Sequence, residues 1–424
     1  MSPKKHPWYR KRGYIHFDSP VSFRTALKVV TSSKRVAKHA FFPLISYEIE
    51  SFKFQVDDAG DPQKVSKLRP IAYASHMDSH IYAYYAKQLA ALYEARLDEL
   101  GLSRNVLAFR SLGKSNVQFA NQAFEEIKRR GQCSVVALDV SGFFDNLNHE
   151  VLKGAWCKLL DEEKLPSDHF NLFKSLTKFS RVDKTKLYDA LDISYHNPKN
   201  GRYKVCDVAD FRDRVRAPGL IISNRDIKGI PQGSPISALL SNIYMLDFDA
   251  KAAAAMDEQG GIYYRYCDDM LFITSKEFRD DIETFANTEI NLLGLDINAK
   301  KTEKRDFWLE RGQQVSNKPL QYLGFTFDGQ RKLIRSASLA RFSNRMKRGV
   351  SLAKKTQYKR NSLKVRQGLR PTKLYKRKLY DRYSHLGSRN FVTYGHRAAA
   401  EMSSDAIRKQ LKPLWKRLQE EIDK

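Results

Sequence analysis

Three aspartates stand beside short apolar runs, at positions where buried strands should end. Asp139 ends one such run, and Asp268 with Asp269 lies at the centre of residues 261–273, which the pattern predicts to be a hairpin. Neighbouring buried carboxylates repel each other unless cations neutralise them. Their hard oxygens suit Mg²⁺, which keeps coordination positions for phosphate oxygens. The pattern therefore predicts that Asp139, Asp268 and Asp269 hold two Mg²⁺ ions, with Mn²⁺ as an alternative metal, for phosphoryl chemistry.

The elements that must position these aspartates follow from hydrophobic periodicity. A strand at 133–140 precedes a helix at 146–160, for which Asp145 is the expected N-cap. His149, at the start of that helix, is expected to be a cap or surface residue rather than a catalytic base. Apolar residues at helical or alternating spacing predict the remaining elements. These are helices at 76–100, 115–130, 235–256 and 277–293, and strands near 47–56, 320–327 and 332–334.

The chain is strongly basic, and the charge is concentrated towards its C-terminus. Its 75 Lys and Arg residues against 48 Asp and Glu give a formal net charge of +27. Residues 331–424 contain 27 basic and 6 acidic side chains, interleaved with aromatic residues such as Tyr358, Tyr375 and Trp415. A basic surface with aromatic rings is typical of nucleic-acid binding. No apolar run is long enough to span a bilayer, so no membrane partner is expected.

The cysteines and the N-terminus indicate a reducing compartment. Cys133, Cys157, Cys206 and Cys267 include no CxxC pair, which argues against a structural zinc site and favours free thiols. The basic segment at 1–6 is not followed by an apolar signal core. The expected localisation is therefore cytoplasmic.

An ordered set of motifs over about residues 65–330 resembles those of reverse transcriptases. Tyr266-Cys267-Asp268-Asp269 resembles the YxDD box of that family. The other matching segments are 138–145 and 229–237 for the first two palm motifs, 292–302 for the fourth, 322–325 for the primer grip, and 67–71 and 109–115 for the fingers motifs of the group II intron and retron branch. The resemblance implies that Asp139, Asp268 and Asp269 are the catalytic metal ligands.

The same resemblance implies a set of nucleotide contacts. Phe144 matches an aromatic residue that fills the space of a ribose 2′-hydroxyl and so selects dNTPs, although either Phe143 or Phe144 should be a core residue. Gln232 matches a contact to the incoming nucleotide. Lys67 and Arg69 match positions that grip the triphosphate, where charge-assisted hydrogen bonds are strong. Lys301 matches a catalytic lysine proposed to protonate pyrophosphate.

Contacts to nucleic acid are implied at two further motifs. Arg110 belongs to the second fingers motif, and Tyr322, Leu323 and Gly324 belong to the primer-grip motif. We expect these four residues to contact the template or the growing strand.

The basic C-terminal region supplies a separate prediction. Four apolar residues between 339 and 350 fall on one face of a predicted helix. Arg341, Arg345 and Arg348 are left largely to the other faces. We therefore expect a helix that docks on protein and presents these arginines to phosphates.

The resemblance also implies the fold and its divisions. It predicts an α+β, right-hand polymerase fold with fingers, a palm made of an antiparallel sheet backed by helices, and a helical thumb. The expected divisions are an N-terminal arm with fingers at 1–130, a palm at 131–330 and a basic thumb at 331–424. Residues 180–228, polar and rich in charge, are expected to be an irregular surface insertion in the palm.

The segment at 11–18 and the Tyr-Cys-Asp-Asp box most resemble the bacterial defence-associated reverse transcriptases, particularly their type-two class. That resemblance implies a structured non-coding RNA template, dNTP substrates, a cDNA product and a role against phages. We find no ribonuclease H or HNH endonuclease pattern. A retron or group II intron-type enzyme stays an alternative. Phe144 argues against an RNA-templated RNA polymerase, and the complete carboxylate set argues against a catalytically silent RNA-binding module.

Overall fold

The computed structural model describes residues 6–56 and 62–424. Its helices are α1 Phe23–Val30, α2 Ser33–Ala37, α3 His76–Glu99, α4 Asn116–Arg130, α5 Phe143–Asn146, α6 His149–Leu160, α7 Ser167–Thr177, α8 Lys184–Ala190, α9 Val208–Asp210, α10 Ser237–Tyr244, α11 Leu246–Glu258, α12 Arg279–Leu292, α13 Ser336–Arg366, α14 Arg377–Tyr383, α15 Phe391–Glu401 and α16 Asp405–Asp423. Short 3₁₀ turns lie at Leu102–Arg104 and Ala299–Lys301, and a π-helical turn at Phe211–Arg216. Part of the predicted basic N-terminus, residues 1–5, lies outside the described residues.

The strands are β1 Leu44–Val56, β2 Pro62–Tyr73, β3 Cys133–Asp139, β4 Ser180–Asp183, β5 Ile221–Ser223, β6 Ile262–Tyr266, β7 Asp269–Thr274, β8 Glu303–Glu310, β9 Gln313–Ser316, β10 Leu320–Tyr322, β11 Phe325–Phe327 and β12 Lys332–Ile334. Within the described residues they form three sheets, in the orders β2-β1-β4-β5, β6-β7-β3-β8-β9 and β10-β11-β12. The α+β class is confirmed.

The five-stranded sheet is antiparallel throughout and lies between two apolar cores. Because side chains alternate along a strand, β3, β6 and β7 each contribute to both cores. In β3, Val136 and Leu138 pack with α3, α6, α10 and α11, whereas Val135 packs on the opposite face with α4 and the C-terminal helices. β7 behaves in the same way, with Phe272 on the first face and Ile273 on the second. The sheet is therefore fixed from both sides.

Residues 180–228 differ from the predicted irregular insertion. β4 pairs in parallel with β1 and antiparallel with β5, so this segment completes the four-stranded sheet. It also has a small core of its own, in which Val182, Leu187 and Val215 pack against Ile15 and Ile45 of the N-terminal part of the chain. The segment was expected to be irregular because its apolar residues are few and widely spaced, but they converge in space.

Two local predictions near the three aspartates are wrong. The helix expected at 235–256 is broken at Met245, which is fully buried and has φ −89° and ψ 0°. No glycine or proline marks this break, so packing alone sets it. The N-cap of α6 is Asn148, whose side chain accepts hydrogen bonds from the backbone N–H groups of Glu150 and Val151, and not Asp145.

The C-terminal region consists of four helices. The predicted apolar face of α13 is confirmed, since Phe342, Met346 and Val350 are buried and pack in the same core as α15 and α16. Arg341, Arg345 and Arg348 of the same helix are exposed. Within the described residues, no helix is both long and apolar enough to cross a membrane.

Candidate active site

Asp139 and Asp269 are directly opposite each other on neighbouring strands. The register of β3 and β7 pairs these two residues, and Asp268 lies on the tight turn that joins β6 to β7. At the turn, Cys267 adopts φ +62°, a left-handed conformation that suits a two-residue hairpin connection. The N–H of Val140 donates to the Asp268 carbonyl over 3.2 Å, which ties the turn to the end of β3. The structure therefore brings the three predicted carboxylates together.

The electrostatics of this site favour a cation. Burial, together with the charges of Asp268 and Asp139, raises the pKa of Asp269 to about 7. The Nζ of Lys301 contacts the Asp139 carboxylate and offsets part of the negative charge. A carboxyl with a pKa near neutrality shows that the protein alone does not fully compensate the three acids.

The donor types fit a hard divalent cation, since the three aspartates offer carboxylate oxygens. Among residues 6–56 and 62–424, however, no three His, Cys, Asp or Glu side chains are already arranged as a ligand set. Asp139 is instead engaged by Lys301.

A fully buried ion pair supports the hairpin formed by β6 and β7. Arg265 of β6 forms a bidentate pair with Asp249 of α11, with Nε–Oδ1 and Nη2–Oδ2 distances of 2.7 and 2.5 Å, and both side chains have 0% exposure. Arg265 also donates to Asn242 of α10 and to the Cys267 carbonyl. Tyr263 donates its hydroxyl to Asp249 over 2.8 Å. The network connects both helices to the turn that carries Asp268.

Sequence reasoning missed this network. The available signal was an arginine in the middle of the aromatic strand Tyr263-Tyr264-Arg265-Tyr266, because a charged side chain buried in a sheet needs a partner.

The turn that carries Gln232 packs against the end of β2. The backbone N–H of Ala72 donates to the Gln232 carbonyl over 2.8 Å. Gly233 has φ +113°, and a Cβ there would lie 2.5 Å from the Ala72 carbonyl oxygen, so only glycine allows this approach. On the other side of the turn, His149 is buried and hydrogen bonds the Gly229 carbonyl over 2.8 Å, so it is not the surface residue expected.

The two phenylalanines after Asp139 occupy different environments. Phe143 is a buried core residue, as one of the pair was expected to be. Phe144 is half-buried, and its backbone carbonyl accepts a hydrogen bond from Ile230 of the glycine-rich turn. Phe144 is therefore the more accessible of the two side chains.

Lys67 and Arg69 are exposed on β2, two residues apart and therefore on one face of the strand. Asp145 lies in the segment after Asp139. Burial raises the pKa of its carboxyl, and the positive charge of Lys67 offsets part of that increase. Both lysine and arginine are thus available to an anionic ligand.

The primer-grip motif is only partly accessible. Tyr322 is 3% exposed and belongs to the core, which contradicts its predicted contact with nucleic acid. Leu323 adopts φ +46°, and its carbonyl accepts a hydrogen bond from Asn116 over 3.0 Å. Gly324 is exposed, with φ +93°, and its carbonyl accepts from the N–H of Arg335 at the start of α13. Leu323 and Gly324 are therefore the parts of this motif that a strand can reach.

Arg110 has a structural role instead of the expected RNA contact. Its side chain is 3% exposed and is paired with Glu94. Its nitrogens also donate to the carbonyls of Ser103 and Val106 and to the Ser103 hydroxyl. With its donors occupied by the protein and its guanidinium buried, Arg110 has no free group for a phosphate.

A basic groove of about 750 Å³ lies between α13, α14 and the start of α15. Arg341, Arg345 and Arg348 line one wall, and Arg382 and Arg389, which sequence reasoning did not single out, line the other. Phe342 and Phe391 stack at its base with ring centroids 4.8 Å apart. No acidic side chain lines the groove, so the five arginines concentrate positive charge there.

Comparisons with known proteins were made for the sequence and for the fold. The family described as "Reverse transcriptase (RNA-dependent DNA polymerase)" matches residues 61–327. The comparison with curated protein sequences gave no match. Among solved structures, the chain is similar to apo telomerase from Candida tropicalis truncated from the C-terminal domain, with 13% identity, a TM-score of 0.40 and coverage of 72% of this chain and 59% of that chain.

A second similar structure is apo telomerase from Candida tropicalis, with 14% identity, a TM-score of 0.42 and coverage of 74% of this chain and 54% of that chain. The chain thus spans less than two thirds of either telomerase chain. The family match, together with the antiparallel sheet backed by helices, confirms the predicted right-hand polymerase fold. Because this match covers more than half of its length, the chain belongs to the reverse transcriptase family of RNA-dependent DNA polymerases.

Proposed function

We propose that this protein copies a structured non-coding RNA into cDNA in the bacterial cytoplasm, as part of a defence against phages. The observation that carries the polymerase part is the pairing of Asp139 with Asp269 across two strands, beside Asp268 on the connecting turn. An antiparallel pair places such side chains on the same face of the sheet. The arrangement presents three carboxylates to one reaction centre.

Asp139, Asp268 and Asp269 would hold two Mg²⁺ ions. Bound there, the ions would supply activation of a primer 3′-hydroxyl and stabilisation of the pyrophosphate leaving group. Lys301, whose Nζ contacts Asp139, would also be close enough to act on the pyrophosphate. This would give Lys301 two roles, as a counter-charge to Asp139 and as a proton donor.

Residues around the carboxylates would bind and select the nucleotide. Phe144 is half-buried beside the glycine-rich turn and would exclude a 2′-hydroxyl. Gln232 is held on that turn by its backbone bond to Ala72 and would contact the nucleotide. Lys67 and Arg69, exposed on one face of β2, would bind the triphosphate.

The arginine groove would hold the RNA template or the template–product duplex. Five arginines without a lining carboxylate neutralise phosphates and release counterions. Its position at the start of α13, next to the Gly324–Arg335 backbone bond, connects it to the primer-grip motif. We assign residues 1–130 to the arm and fingers, 131–330 to the palm and 331–424 to the thumb, with the segment near 180–228 contributing to the fingers sheet.

The test is to purify the full chain from cells that express it with its neighbouring genomic sequence, and to sequence the RNA and DNA that copurify. We expect one predominant structured RNA and cDNA complementary to it. A matched preparation of the Asp268→Ala, Asp269→Ala variant should retain the RNA and lack the cDNA.

The alternatives give different outcomes in the same experiment. If an intron RNA or a retron RNA copurifies with the protein, that RNA is its template. The protein would then be a group II intron-type or retron enzyme. A mixed RNA population without any cDNA, in both preparations, would leave only an RNA-binding module. Phage plaque counts with wild type and the aspartate variant test the defence role separately.

A further inference from the structure

A cavity of about 310 Å³ lies outside the proposed catalytic site, where the N-terminal segment meets the four-stranded sheet. We call it the tyrosine pocket. The residues that line it are Gly13, Tyr14, Ile15, Tyr47, Tyr73, Lys184, Tyr188, Pro198 and Lys199. None of the functions assigned above uses these side chains.

Three of the four tyrosine rings are fixed by their neighbours. Tyr14 donates its hydroxyl to the Ala74 carbonyl over 2.8 Å, and its ring lies 4.7 Å from that of Tyr73. Tyr73 in turn packs against the small core of residues 180–228, in which Tyr188 is buried. These rings therefore form a preorganised apolar wall, which loses little entropy when a flat ligand binds.

The fourth ring, Tyr47, is at the mouth of the pocket. It is 37% exposed, and its centroid is 6.3 Å from that of Tyr73. The Nζ of Lys184 lies 5.6 Å from the Tyr47 centroid and 5.3 Å from the Tyr188 centroid. The pocket thus combines an accessible π-face with an ammonium group held beside it.

The charge of the pocket selects an anionic ligand. Lys184 and Lys199 both line it, and no acidic side chain does. Aromatic faces next to lysines are the combination that binds the bases and phosphates of single-stranded nucleic acid. The volume is at the small end of the range for pockets that enclose one small molecule, which is about 300–1,000 Å³, so it suits one nucleotide and not a helix.

We propose that the tyrosine pocket binds one nucleotide, with its base against the tyrosine rings and its phosphate on Lys184 and Lys199. The occupant that fits the rest of the molecule is an unpaired nucleotide of the bound RNA, and this part of the inference rests on the proposed function. Tyr73 is one residue from Ala72, whose N–H supports the Gln232 turn. An RNA anchored in the pocket is therefore connected by β2 to the site of nucleotide addition.

The test uses a five-nucleotide single-stranded RNA containing 4-thiouridine, incubated with the full chain without divalent metal or dNTP. After irradiation, we expect crosslinked peptides that contain Tyr47, Tyr73 or Tyr188. Tyr47→Leu should weaken binding of this RNA by roughly 5- to 100-fold, because stacking of one base on an aromatic ring is lost. Tyr47→Phe keeps the ring and should bind like wild type.

Lys184→Met should weaken binding, whereas the matched control Lys186→Met, an exposed lysine two residues along α8 but outside the pocket, should not. Competition by unlabelled pentamer but not by UMP assigns the site to RNA, and equal competition by UMP assigns it to free nucleotides. Crosslinks confined to other peptides, or equal affinity of wild type and Tyr47→Leu, would overturn the proposal. The crosslinking assay requires no DNA synthesis, so the two proposals can fail separately. Crosslinking at the pocket in a protein that makes no cDNA would support the pocket proposal and contradict the proposed function.

Discussion

Arg265 in the five-stranded sheet and the arginines of the groove beside α13 are the same residue type in opposite settings. Arg265 is fully buried, and its guanidinium donates hydrogen bonds to Asp249, Asn242 and the Cys267 carbonyl. Arg341, Arg345 and Arg348 are exposed and have no carboxylate partner among the described residues. Arg341 donates to the Ser338 hydroxyl over 3.2 Å.

The difference shows how one chain can keep a rigid reaction centre and a nucleic-acid surface. A buried charge with fixed partners sets geometry, because its desolvation is compensated only in one arrangement. Exposed charges without partners set affinity, because their neutralisation is left to an external polyanion. Changes in the sheet should therefore affect catalysis or stability, and changes in the groove should affect the salt dependence of binding.

The largest expected effect is the loss of the two hairpin carboxylates. Asp268→Ala with Asp269→Ala should lower dNTP incorporation by at least roughly 1,000-fold, because the metal ions supply several kcal/mol of transition-state stabilisation. Primer extension on an RNA template measures it. Folding and RNA binding should persist, since these side chains are not core residues. If the double variant makes as much cDNA as wild type, the active site is not at these carboxylates of the five-stranded sheet.

The second prediction tests whether the charges below the hairpin are structural. Asp249→Ala leaves Arg265 buried without its carboxylate and should lower the free energy of unfolding by about 3–5 kcal/mol. Asp247→Ala, two residues away on α11, removes an exposed pair with Lys158 and should cost about 1 kcal/mol or less. Denaturant unfolding measures both variants. Equal losses would mean that burial does not distinguish the two pairs.

The third prediction concerns the groove. Replacing Arg341, Arg345 and Arg348 with Ala should weaken RNA binding and flatten the log–log salt dependence of affinity, by up to roughly one unit for each lost phosphate contact. Replacing Lys347, Lys355 and Lys359 of the same helix removes the same charge outside the groove. Fluorescence anisotropy across a salt series compares them. If both triple variants keep the wild-type salt dependence of affinity, the arginines of the groove do not contact RNA phosphates. The comparison between sheet and groove would then be wrong.

The smallest effect is expected at Phe144, for which the adjacent Phe143 is the control. Phe144→Ala should raise incorporation of rNTPs relative to dNTPs by roughly tenfold, since a missing contact of this kind alters discrimination by about 1–3 kcal/mol. Phe143→Ala should instead destabilise the fold by about 3–5 kcal/mol and leave sugar selection unchanged. Primer extension with each nucleotide set, alongside thermal unfolding, distinguishes them. Relaxed selection in Phe143→Ala alone would shift the assignment by one residue.

Much of the catalytic geometry was predictable because it is local in sequence. A strand that ends in Asp139 and a hairpin that turns at Asp268 follow from alternation and turn length. What escaped prediction depends on contacts between distant segments. The pairing of Arg265 with Asp249, the buried environment of Tyr322 and the break of a helix at Met245 are set by packing, and single-sequence periodicity does not encode which faces meet.

The same limit applies to the contact between Lys301 and Asp139, which are 162 residues apart in the chain. The motif order predicted that both would be near the reaction centre, since each belongs to a recognised segment. It did not predict that the lysine would contact Asp139, because that depends on how two distant segments pack. Arg110 illustrates the converse, as a motif residue whose buried pairing with Glu94 appears only in three dimensions.

The parallel pairing of β4 with β1 has a consequence for the order of events during protein synthesis. The Ser46 hydroxyl donates to the Val182 carbonyl, 136 residues later in the chain. At about 5–20 residues per second, the ribosome adds those residues in roughly 7 to 27 s. Throughout that interval the part of β1 that pairs with β4, Leu44 to Ser46, has an unpaired edge, which is a template for association with other chains. The four-stranded sheet thus closes only when β4 and β5 emerge, and the first strand made must wait for a segment synthesised after β3.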